Sequence, residues 1–332
     1  MKLFQTTFAE FLQFEVLKNQ TLKEDLSELI LNIANSCRGI RKILSQGYLG
    51  GDLGAVVDIN VQEEDQKKLD VISNSIILEY CAKGTSIKAL ASEEMEKPVV
   101  VAPRSGKYLM LFDPLDGSSN IEINGPVGTI ISILPSSSSD DIEQDFLQPG
   151  SNQVAAIYVL YGPSTNLVLT LGNGTYEFTL SPVEDEFFLT GSRLKIPIDS
   201  SEFGINSSNY RFWEKPVRRY VEECLEGKDG ARGRDFNMRW VGAMACDVHR
   251  VLSRGGTFMY PMDEKLRKKG GRLRLMYEAN PMSFIIEQAG GLASTGYQRI
   301  LDVQPTNLHQ RIPVILGSKN EIELINSYHT GY

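Results

Sequence analysis

The 332-residue sequence has few of the residues that bind soft metals or form covalent cross-links: only four cysteines and three histidines. These residues are Cys37, Cys81, Cys224, Cys246, His249, His309 and His329. The cysteines are far apart and include no Cys-x-x-Cys pair, a spacing typical neither of a zinc site nor of a disulfide framework. We therefore expect buried free thiols and structural histidines, which leaves carboxylates as the candidate catalytic groups.

The sequence is also short of positive charge and of long apolar runs. Lysine and arginine total 34 against 42 aspartate and glutamate residues, a net charge of −8, which argues against a nucleic-acid or anionic-membrane partner. No run approaches the length needed to span a bilayer, and the first residues lack the apolar region of a signal peptide. We therefore expect a cytoplasmic protein that holds an anionic substrate with a local basic pocket or bound cations.

The chain length and the order of its patterns predict an α/β protein with two lobes. Strand patterns predominate up to residue 190, whereas helix and strand patterns alternate after Pro197. We therefore predict lobes at residues 1–200 and 201–332. The predicted strands lie at 99–101, 108–112, 128–134, 154–161, 167–171, 176–180, 187–190, 257–260 and 313–317. The predicted helices lie at 22–44, from about 69 onward, and at 212–225, 240–252, 281–289 and 321–327.

The stretch Leu109–Asn120, with the sequence LMLFDPLDGSSN, carries the clearest chemical signal. Its four leading apolar residues predict a strand that ends at the acids. Asp113 and Asp116 are therefore expected at the carboxyl edge of a sheet, where open α/β sheets bind ligands. Pro114 is expected to stop the strand pairing, which leaves the carbonyl of Leu115 free to face the same site.

Gly117, Ser118 and Ser119 follow the acids and can begin a helix whose unpaired amides bind phosphate. Carboxylates that bind cations beside a phosphate seat are typical of metal-assisted phosphoryl transfer. The alternative is an ordinary turn, since Asp-Pro and Asp-Gly are both turn dipeptides. The full motif arises by chance on the order of once in a million starting positions, which favours the functional interpretation.

Other candidate residues lie outside this motif. Asp70 is predicted at the border of the buried face of a helix, while Glu93 and Glu94, taken alone, would be an acid pair in solvent. Arg272 and Arg274 alternate with leucines, so both side chains are expected on one face of a strand. An exposed strand face with salt-bridge partners is an equally good interpretation of these two arginines.

Together these segments resemble the class I fructose-1,6-bisphosphatases. The resemblance rests on segments 67–70, 92–94, 113–120, 148–150, 154–156, 205–206, 247–250, 275–282, 287–291 and 305–311. The Asp-Pro-Leu-Asp-Gly-Ser motif is shared with the wider lithium-sensitive phosphatase superfamily, whereas the other segments are specific to the sugar bisphosphatases. The resemblance implies a layered αβαβα fold with two lobes, each a mixed sheet flanked by helices. The first lobe would be regulatory and metal-binding, and the second would bind the sugar bisphosphate.

The resemblance also assigns site residues. It implies more than one Mg²⁺ ion per subunit, with Mn²⁺ as a substitute, on Glu93, Asp113, the carbonyl of Leu115, Asp116 and Glu278. It implies Asp70 and Glu94 as the pair that deprotonates the attacking water, with Glu64 on a mobile loop nearby. The 1-phosphate would contact Gly117, Ser118, Ser119 and Arg274. The remote phosphate would contact Asn206, Tyr210, Arg239, Trp240, Tyr260 and Arg272. The counterpart of Arg239 reaches across from a neighbouring subunit, which implies a homo-oligomer, usually a tetramer.

The sequence departs from the family pattern both in the substrate pocket and at the effector site. Trp240 stands where the family usually has Tyr, and Arg272 replaces a Lys, which keeps the charge but changes its geometry. At the possible nucleotide effector site Lys107 and Tyr108 are present, but Lys23 stands where a Thr usually binds the phosphate of AMP. Pro135 likewise falls where an Arg is expected. We therefore predict weak or absent inhibition by AMP.

The resemblance implies magnesium-dependent hydrolysis of the 1-phosphate of fructose 1,6-bisphosphate, giving fructose 6-phosphate and phosphate in gluconeogenesis. A sedoheptulose-1,7-bisphosphatase or a dual-specificity enzyme is the alternative that the changes at Trp240 and Arg272 keep open. A non-catalytic sugar-phosphate sensor would be expected to lack a ligand or the base, yet every expected acid is present. An inositol or nucleotide monophosphatase leaves the basic residues Arg239 and Arg272 unexplained.

Overall fold

The computed structural model describes residues 3–19, 23–51, 54–59, 65–101 and 106–331. Its helices are α1 Phe8–Asn19, α2 Glu24–Leu44, α3 Lys68–Cys81, α4 Ile142–Phe146, α5 Lys215–Glu226, α6 Met244–Arg254, α7 Asn280–Gln288 and α8 Lys319–Thr330. Its strands are β1 Val56–Ile59, β2 Asp65–Lys67, β3 Ile87–Ser92, β4 Val99–Val100, β5 Tyr108–Asp116, β6 Val127–Pro135, β7 Ala155–Tyr161, β8 Thr165–Thr170, β9 Thr175–Ser181, β10 Glu186–Gly191, β11 Glu202–Ile205, β12 Asn237–Met238, β13 Thr257–Tyr260, β14 Leu273–Arg274, β15 Leu292–Ser294, β16 Arg311–Ile312 and β17 Val314–Gly317. Among these helices none is long and apolar enough to cross a membrane.

The larger sheet has eight strands in the order β10-β9-β8-β7-β6-β5-β3-β4. Its neighbours pair antiparallel except β3 and β5, which run parallel. Successive side chains of β5 point to opposite faces. Met110 and Phe112 pack in the cluster formed with helices α1–α3, while Leu109 and Leu111 pack in the cluster formed with α6 and α7. The sheet therefore lies between two helical layers.

The second sheet has five strands in the order β12-β11-β13-β17-β15, and two of its pairings are parallel. Phe258 and Leu316 on one face join the cluster with α6 and α7. Met259 and Ile315 on the other face join the cluster with α5 and α8. Helices and sheets thus alternate in five layers, which confirms the predicted αβαβα fold.

The two sheets are built from separate stretches of chain, residues 87–191 and 202–317. The prediction of lobes at 1–200 and 201–332 follows the same division and stays a prediction, because α6 and α7 contribute to one core against both sheets. The predicted helices and strands all have counterparts in the structure. The elements that the sequence analysis did not predict are helices α1 and α4 and strands β1, β2, β3, β11, β12, β15 and β16.

Candidate metal and phosphate site

The acidic site begins where the two parallel strands β3 and β5 end side by side. Ser92 of β3 lies in register with Phe112 of β5, and the amide of Glu93 donates to the carbonyl of Phe112 at 3.0 Å. Parallel strands present their carboxyl ends at one edge of a sheet. Glu93 and Asp113 are therefore brought together although 20 residues separate them in sequence.

The predicted end of the strand at Pro114 is wrong, because β5 continues through Asp116. The pairing of β5 with β6 shifts register between Asp113 and Asp116, so Pro114 and Leu115 together lie opposite Thr129 alone. This β-bulge accommodates the proline, which has no amide to donate. The Thr129 hydroxyl donates to the Pro114 carbonyl at 2.9 Å, and the Leu115 amide donates to Asp113 Oδ1 at 2.9 Å.

Three buried carboxylates form the centre of the site. One oxygen each of Glu93, Asp113 and Glu278 lies within 4.8 Å of the other two. Burial and the neighbouring charges, Glu93 first, raise the pKa of Asp113 well above its ordinary value. Burial, followed by Glu93, raises the pKa of Glu278 to about 8. Arg274 offsets part of this charge, with Nη2 at 3.2 Å from Glu93 Oε1 and its amide donating to Glu278 Oε2 at 2.6 Å.

This donor set fits a hard divalent cation. Its groups are carboxylates, and Mg²⁺ and Mn²⁺ prefer oxygen ligands. Buried carboxylates this close repel one another and are costly to keep charged unless a cation neutralises them. The structure thus brings Glu93, Asp113 and Glu278 together as the sequence predicted, and Leu115 and Asp116 line the same cavity.

Asp116 ties the strand to helix α6. Its two oxygens accept hydrogen bonds from the amides of Met244 at 3.0 Å and Ala245 at 2.7 Å. Burial raises the pKa of Asp116 to about 6 although these two bonds lower it. Asp116 lies outside the cluster of three carboxylates, so its role as a metal ligand stays a prediction.

Asp70 and Glu94, the predicted proton acceptors, line the same cavity. Asp70 lies in the first turn of α3 and accepts a bond from the Lys67 amide at 2.8 Å. Its burial, together with Glu94 and Glu93, raises its pKa to about 7. Glu94 is half-buried and Glu93 is buried, so the expectation from local sequence that both lie in solvent is wrong. The third predicted acid, Glu64, lies outside the described residues.

The predicted phosphate seat follows the bulge as a single turn of 3₁₀ helix, Ser118–Asn120. Gly117 precedes it in the left-handed region, with φ of +77°, and a Cβ there would come within 2.4 Å of the Ala243 Cβ. Glycine is therefore required on two grounds, backbone conformation and close approach. Gly117, Ser118 and Ser119 all line the cavity beside Arg274.

A single cavity of about 480 Å³ brings together most of the predicted residues. These residues are Asp70, Glu93, Glu94, Asp113, Leu115, Asp116, Gly117, Ser118, Ser119, Asn206, Trp240, Tyr260, Arg272, Arg274 and Glu278. Glu93, Glu94, Asp113, Asp116 and the Gly117–Ser119 segment lie in or directly after strands β3 and β5 of the first sheet, whereas Asp70 lies on α3 and Glu278 follows β14. Asn206 and Tyr260 lie at the ends of strands β11 and β13 of the second sheet, and Arg272 precedes β14. The cavity therefore joins a cation site to a cationic and aromatic region.

Comparison with known proteins agrees with this arrangement. Residues 6–192 match the family model "Fructose-1-6-bisphosphatase, N-terminal domain", and residues 196–330 match the corresponding C-terminal domain. The chain belongs to the fructose-1,6-bisphosphatase family. The resemblance stated from the sequence is thereby confirmed.

Individual relatives of the fructose-1,6-bisphosphatase family match over nearly the whole chain. Two are named fructose-1,6-bisphosphatase class 1, from Acinetobacter baylyi and Acinetobacter baumannii, each 54% identical over 323 residues, with 97% of this chain and 99% of the relative covered. A solved structure, Leishmania major fructose-1,6-bisphosphatase in holo form, superposes with a TM-score of 0.90 at 37% identity, covering 97% of this chain and 98% of that one.

Two residues that the family resemblance assigns to the remote phosphate do not line the cavity. The Tyr210 hydroxyl donates to Glu222, and its side chain is exposed. Arg239 is also exposed, with Nη1 donating to the Met238 carbonyl at 3.0 Å. Their assignments stay predictions.

Trp240 forms an aromatic wall of the cavity, where the family usually has Tyr. Its indole stacks on Phe258, with ring centroids 5.7 Å apart and planes inclined by 4°. It also meets Tyr260 edge-on at 5.8 Å. Sequence reasoning missed Phe258, together with the lining residues Lys67, Gly242, Met244 and Leu273. Two of these residues could have been identified from the sequence. Lys67 precedes the Lys-Leu-Asp segment directly, and Leu273 lies between Arg272 and Arg274.

The possible nucleotide effector residues lie on the other side of the larger sheet from α6. Asp25, in the first turn of α2, pairs with Lys107 Nζ at 2.5 Å and accepts from the Tyr108 hydroxyl at 3.3 Å. One carboxylate of this chain therefore contacts both residues that would bind a nucleotide phosphate. This contact is in keeping with the predicted weak response to AMP, which stays a prediction.

Proposed function

We propose that the chain hydrolyses the 1-phosphate of fructose 1,6-bisphosphate, giving fructose 6-phosphate and phosphate. The observation that carries the proposal is the single cavity that joins three buried carboxylates to Arg272 and Arg274. Carboxylates that bind cations account for phosphoryl chemistry. Arg272, placed beyond them in the same cavity, accounts for recognition of a second phosphate.

Glu93, Asp113 and Glu278 would hold Mg²⁺ or Mn²⁺, and the carbonyl of Leu115 and Asp116 complete the proposed ligand set for more than one ion. When bound, a divalent cation polarises phosphoryl oxygens and makes water easier to deprotonate near neutral pH. Arg274, held beside Glu93 and Glu278, supplies a fixed positive charge for the reacting phosphate.

The chain's own residues position the phosphate and deprotonate the attacking water. Asp70 would accept the proton of the attacking water. A base works best when its pKa lies near the operating pH, and burial raises the pKa of Asp70 to about 7. Glu94 lies beside it as the second member of the pair. The amides at Gly117, Ser118 and Ser119 would bind oxygens of the 1-phosphate, which is transferred to water while fructose 6-phosphate leaves.

The phosphate that is not cleaved would be held by Arg272 and Asn206 beside the aromatic wall of Trp240 and Tyr260. Binding energy from a remote group can position the reacting one. We further propose that Arg239 acts in the cavity of a neighbouring subunit of a homotetramer. Its exposure, and its place outside the cavity of its own chain, support that role.

The experiment compares phosphate release from four substrates, with Mg²⁺ and with EDTA. The substrates are fructose 1,6-bisphosphate, sedoheptulose 1,7-bisphosphate, inositol 1-phosphate and AMP. We expect magnesium-dependent release that is fastest from fructose 1,6-bisphosphate. Equal or faster release from the seven-carbon sugar would favour the alternative that Trp240 and Arg272 suggest. No release from any substrate by a folded preparation would favour a sugar-phosphate sensor.

A further inference from the structure

A second cavity, of about 920 Å³, lies apart from the catalytic one and shares none of its lining residues. Four cationic side chains line it, those of Arg267, Lys268, Lys269 and Arg311, and the lining residues that the structure describes include no Asp or Glu. The whole chain carries a net charge of −8. Positive charge gathered in a concave site of an acidic protein attracts anions locally, and the volume lies in the range of small-molecule sites.

The turn Arg267–Lys269, called the basic turn below, is exposed, and its positive charge is only partly neutralised. Arg267 pairs with Glu214, whose carboxylate lies 3.1 Å away outside the cavity lining. Lys268 and Lys269 have no carboxylate within 4.0 Å among the residues that the structure describes. Two lysine charges therefore remain available to a ligand that enters the cavity.

The backbone holds the basic turn against strand β16. Gly270 ends the turn with φ of +81°, and Gly271 follows with φ of +144°. A Cβ on Gly271 would lie 2.3 Å from the Ile312 carbonyl carbon, so only glycine permits this approach. The turn that carries Lys268 and Lys269 is therefore fixed beside Arg311.

Polar groups on the opposite walls are held by their own hydrogen bonds. The amide and hydroxyl of Thr306 donate to Gln310 Oε1 at 2.7 and 2.9 Å. The Thr295 hydroxyl accepts from the amides of Tyr297 and Gln298 at 3.2 Å each. Walls fixed in this way lower the ordering cost of binding a small polar ligand.

We propose that this cavity is a regulatory site for a small polyanion, a molecule that carries two or more phosphate or carboxylate groups. Two paired strands, β14 and β16, connect this cavity to the catalytic one. Arg311 pairs in register with Arg274 across β14 and β16, and the Leu275 amide donates to the Gln310 carbonyl at 2.7 Å. A ligand that draws Arg311 toward the cavity acts on the strand that positions Arg274.

The binding test uses isothermal titration calorimetry on the metal-free full-length protein, with inorganic pyrophosphate and tricarballylate as separate probes. The test variant is the double charge reversal Lys268→Glu/Lys269→Glu. The control is Lys195→Glu/Lys228→Glu, which makes the same change in net charge at exposed lysines that line neither cavity. We expect the test variant to weaken binding by about tenfold or more and the control by less than about twofold.

Equal weakening in both variants, or none in the test variant, would overturn the binding site. Lysine-dependent binding of both probes supports a general polyanion site, while binding of pyrophosphate alone supports a phosphorylated ligand. Circular dichroism confirms that each variant is folded. Because no turnover is measured, failure here leaves the proposed phosphatase activity untouched.

A separate kinetic measurement tests the connection between the cavity and Arg274. This measurement rests on the proposed function, because it requires hydrolysis of fructose 1,6-bisphosphate. Saturating tricarballylate should change the KM for fructose 1,6-bisphosphate by about fivefold or more in the wild-type protein, the lower end of typical site-to-site coupling. The same probe should leave the KM of Lys268→Glu/Lys269→Glu unchanged. An equal effect on both proteins would place the probe in the catalytic cavity instead, and an unchanged wild-type KM would refute the regulatory role.

Discussion

At the scale of single residues, the burial of an acid and the strands around it distinguish the acids of the candidate site from ordinary surface acids. Glu93 and Glu94 are adjacent in sequence, yet Glu93 is buried beside Asp113 while Glu94 is half-buried. Local sequence could not separate them, because the burial of Glu93 follows from the pairing of β3 with β5. The family resemblance found these acids by comparison of motifs, and the fold supplies the physical reason.

Asp70 is the residue whose loss should affect the chemical step most directly. Asp70→Asn removes the proposed proton acceptor, so kcat should fall by about 10²–10⁴-fold, while KM changes little. The matched control is Glu79→Gln, an exposed acid of the same helix α3. Steady-state kinetics with saturating Mg²⁺ measure both variants. A kcat for Asp70→Asn within about threefold of the wild type would reject the assigned role.

Gly117 allows a separate prediction about stability. Gly117→Ala combines a left-handed backbone with a contact at 2.4 Å, so the free energy of unfolding should fall by about 2–4 kcal/mol. Gly233→Ala is the control, because Gly233 has φ of +61° and no atom within 4 Å of the added methyl. It should cost about 1 kcal/mol. Urea denaturation compares the two, and equal losses would mean that the Ala243 contact carries no cost.

At the scale of elements, the β-bulge and a buried ion pair show what short-range rules missed. Pro114 predicts the end of a strand, yet Thr129 on β6 accommodates it within β5. The serine-rich segment after Pro135 lies at the surface but is anchored to the larger sheet. Lys88 of β3 holds it, donating to the carbonyls of Ser137 and Ser139 at 3.0 and 2.7 Å. Both contacts depend on partners far away in sequence.

The pair Lys88–Asp145 should contribute strongly to stability. Its two charged groups lie 2.8 Å apart with side chains 5% and 2% exposed. Lys88→Met leaves the Asp145 carboxylate buried and unpaired, so the free energy of unfolding should fall by about 3–5 kcal/mol. The control Lys83→Met breaks the exposed pair with Glu79 at the end of α3 and should cost less than about 1 kcal/mol. Similar losses in the two variants would show that the buried pair has no special role.

The same pair predicts a pH dependence. Burial raises the pKa of Asp145, but hydrogen bonds from Lys88 and Ser137 outweigh it and hold the pKa below 3.8. The stabilisation is therefore fully present above pH 3.8 and is lost as the pH falls through the lowered pKa of the folded state. Lys88→Met should remove this part of the acid sensitivity, measured as unfolding free energy between neutral pH and about pH 3. An unchanged pH profile in the variant would contradict the assignment.

At the scale of the whole molecule, the five-layer fold was predictable and the joining of its halves was not. Strand and helix patterns identified most elements, and the family resemblance supplied their layering. Helices α6 and α7 pack against both sheets, which places Arg272 and Arg274 beside acids more than 150 residues earlier in the chain. Periodicity carries no information about such packing. The proposed role of Arg239 also depends on a neighbouring subunit, which a single chain does not contain.

Mixed oligomers test the proposed exchange of Arg239 between subunits. Asp70→Asn and Arg239→Ala should each be weakly active. Hybrids assembled from both should recover activity above the mean of the two, because some sites then contain Asp70 and a neighbour's Arg239. Arg272→Ala mixed with Asp70→Asn is the control, since both residues line the cavity of one chain. Light scattering should give four times the chain mass. Equal recovery in both mixtures would contradict the exchange.

The most direct test of the central claim follows both phosphates of fructose 1,6-bisphosphate by phosphorus-31 NMR, with the purified chain and either Mg²⁺ or EDTA. The carboxylate cluster and Arg274 predict that the 1-phosphate signal is converted to inorganic phosphate while the 6-phosphate signal remains, and only when the divalent cation is present. Loss of the 6-phosphate first, or the same rate in EDTA, would contradict the account.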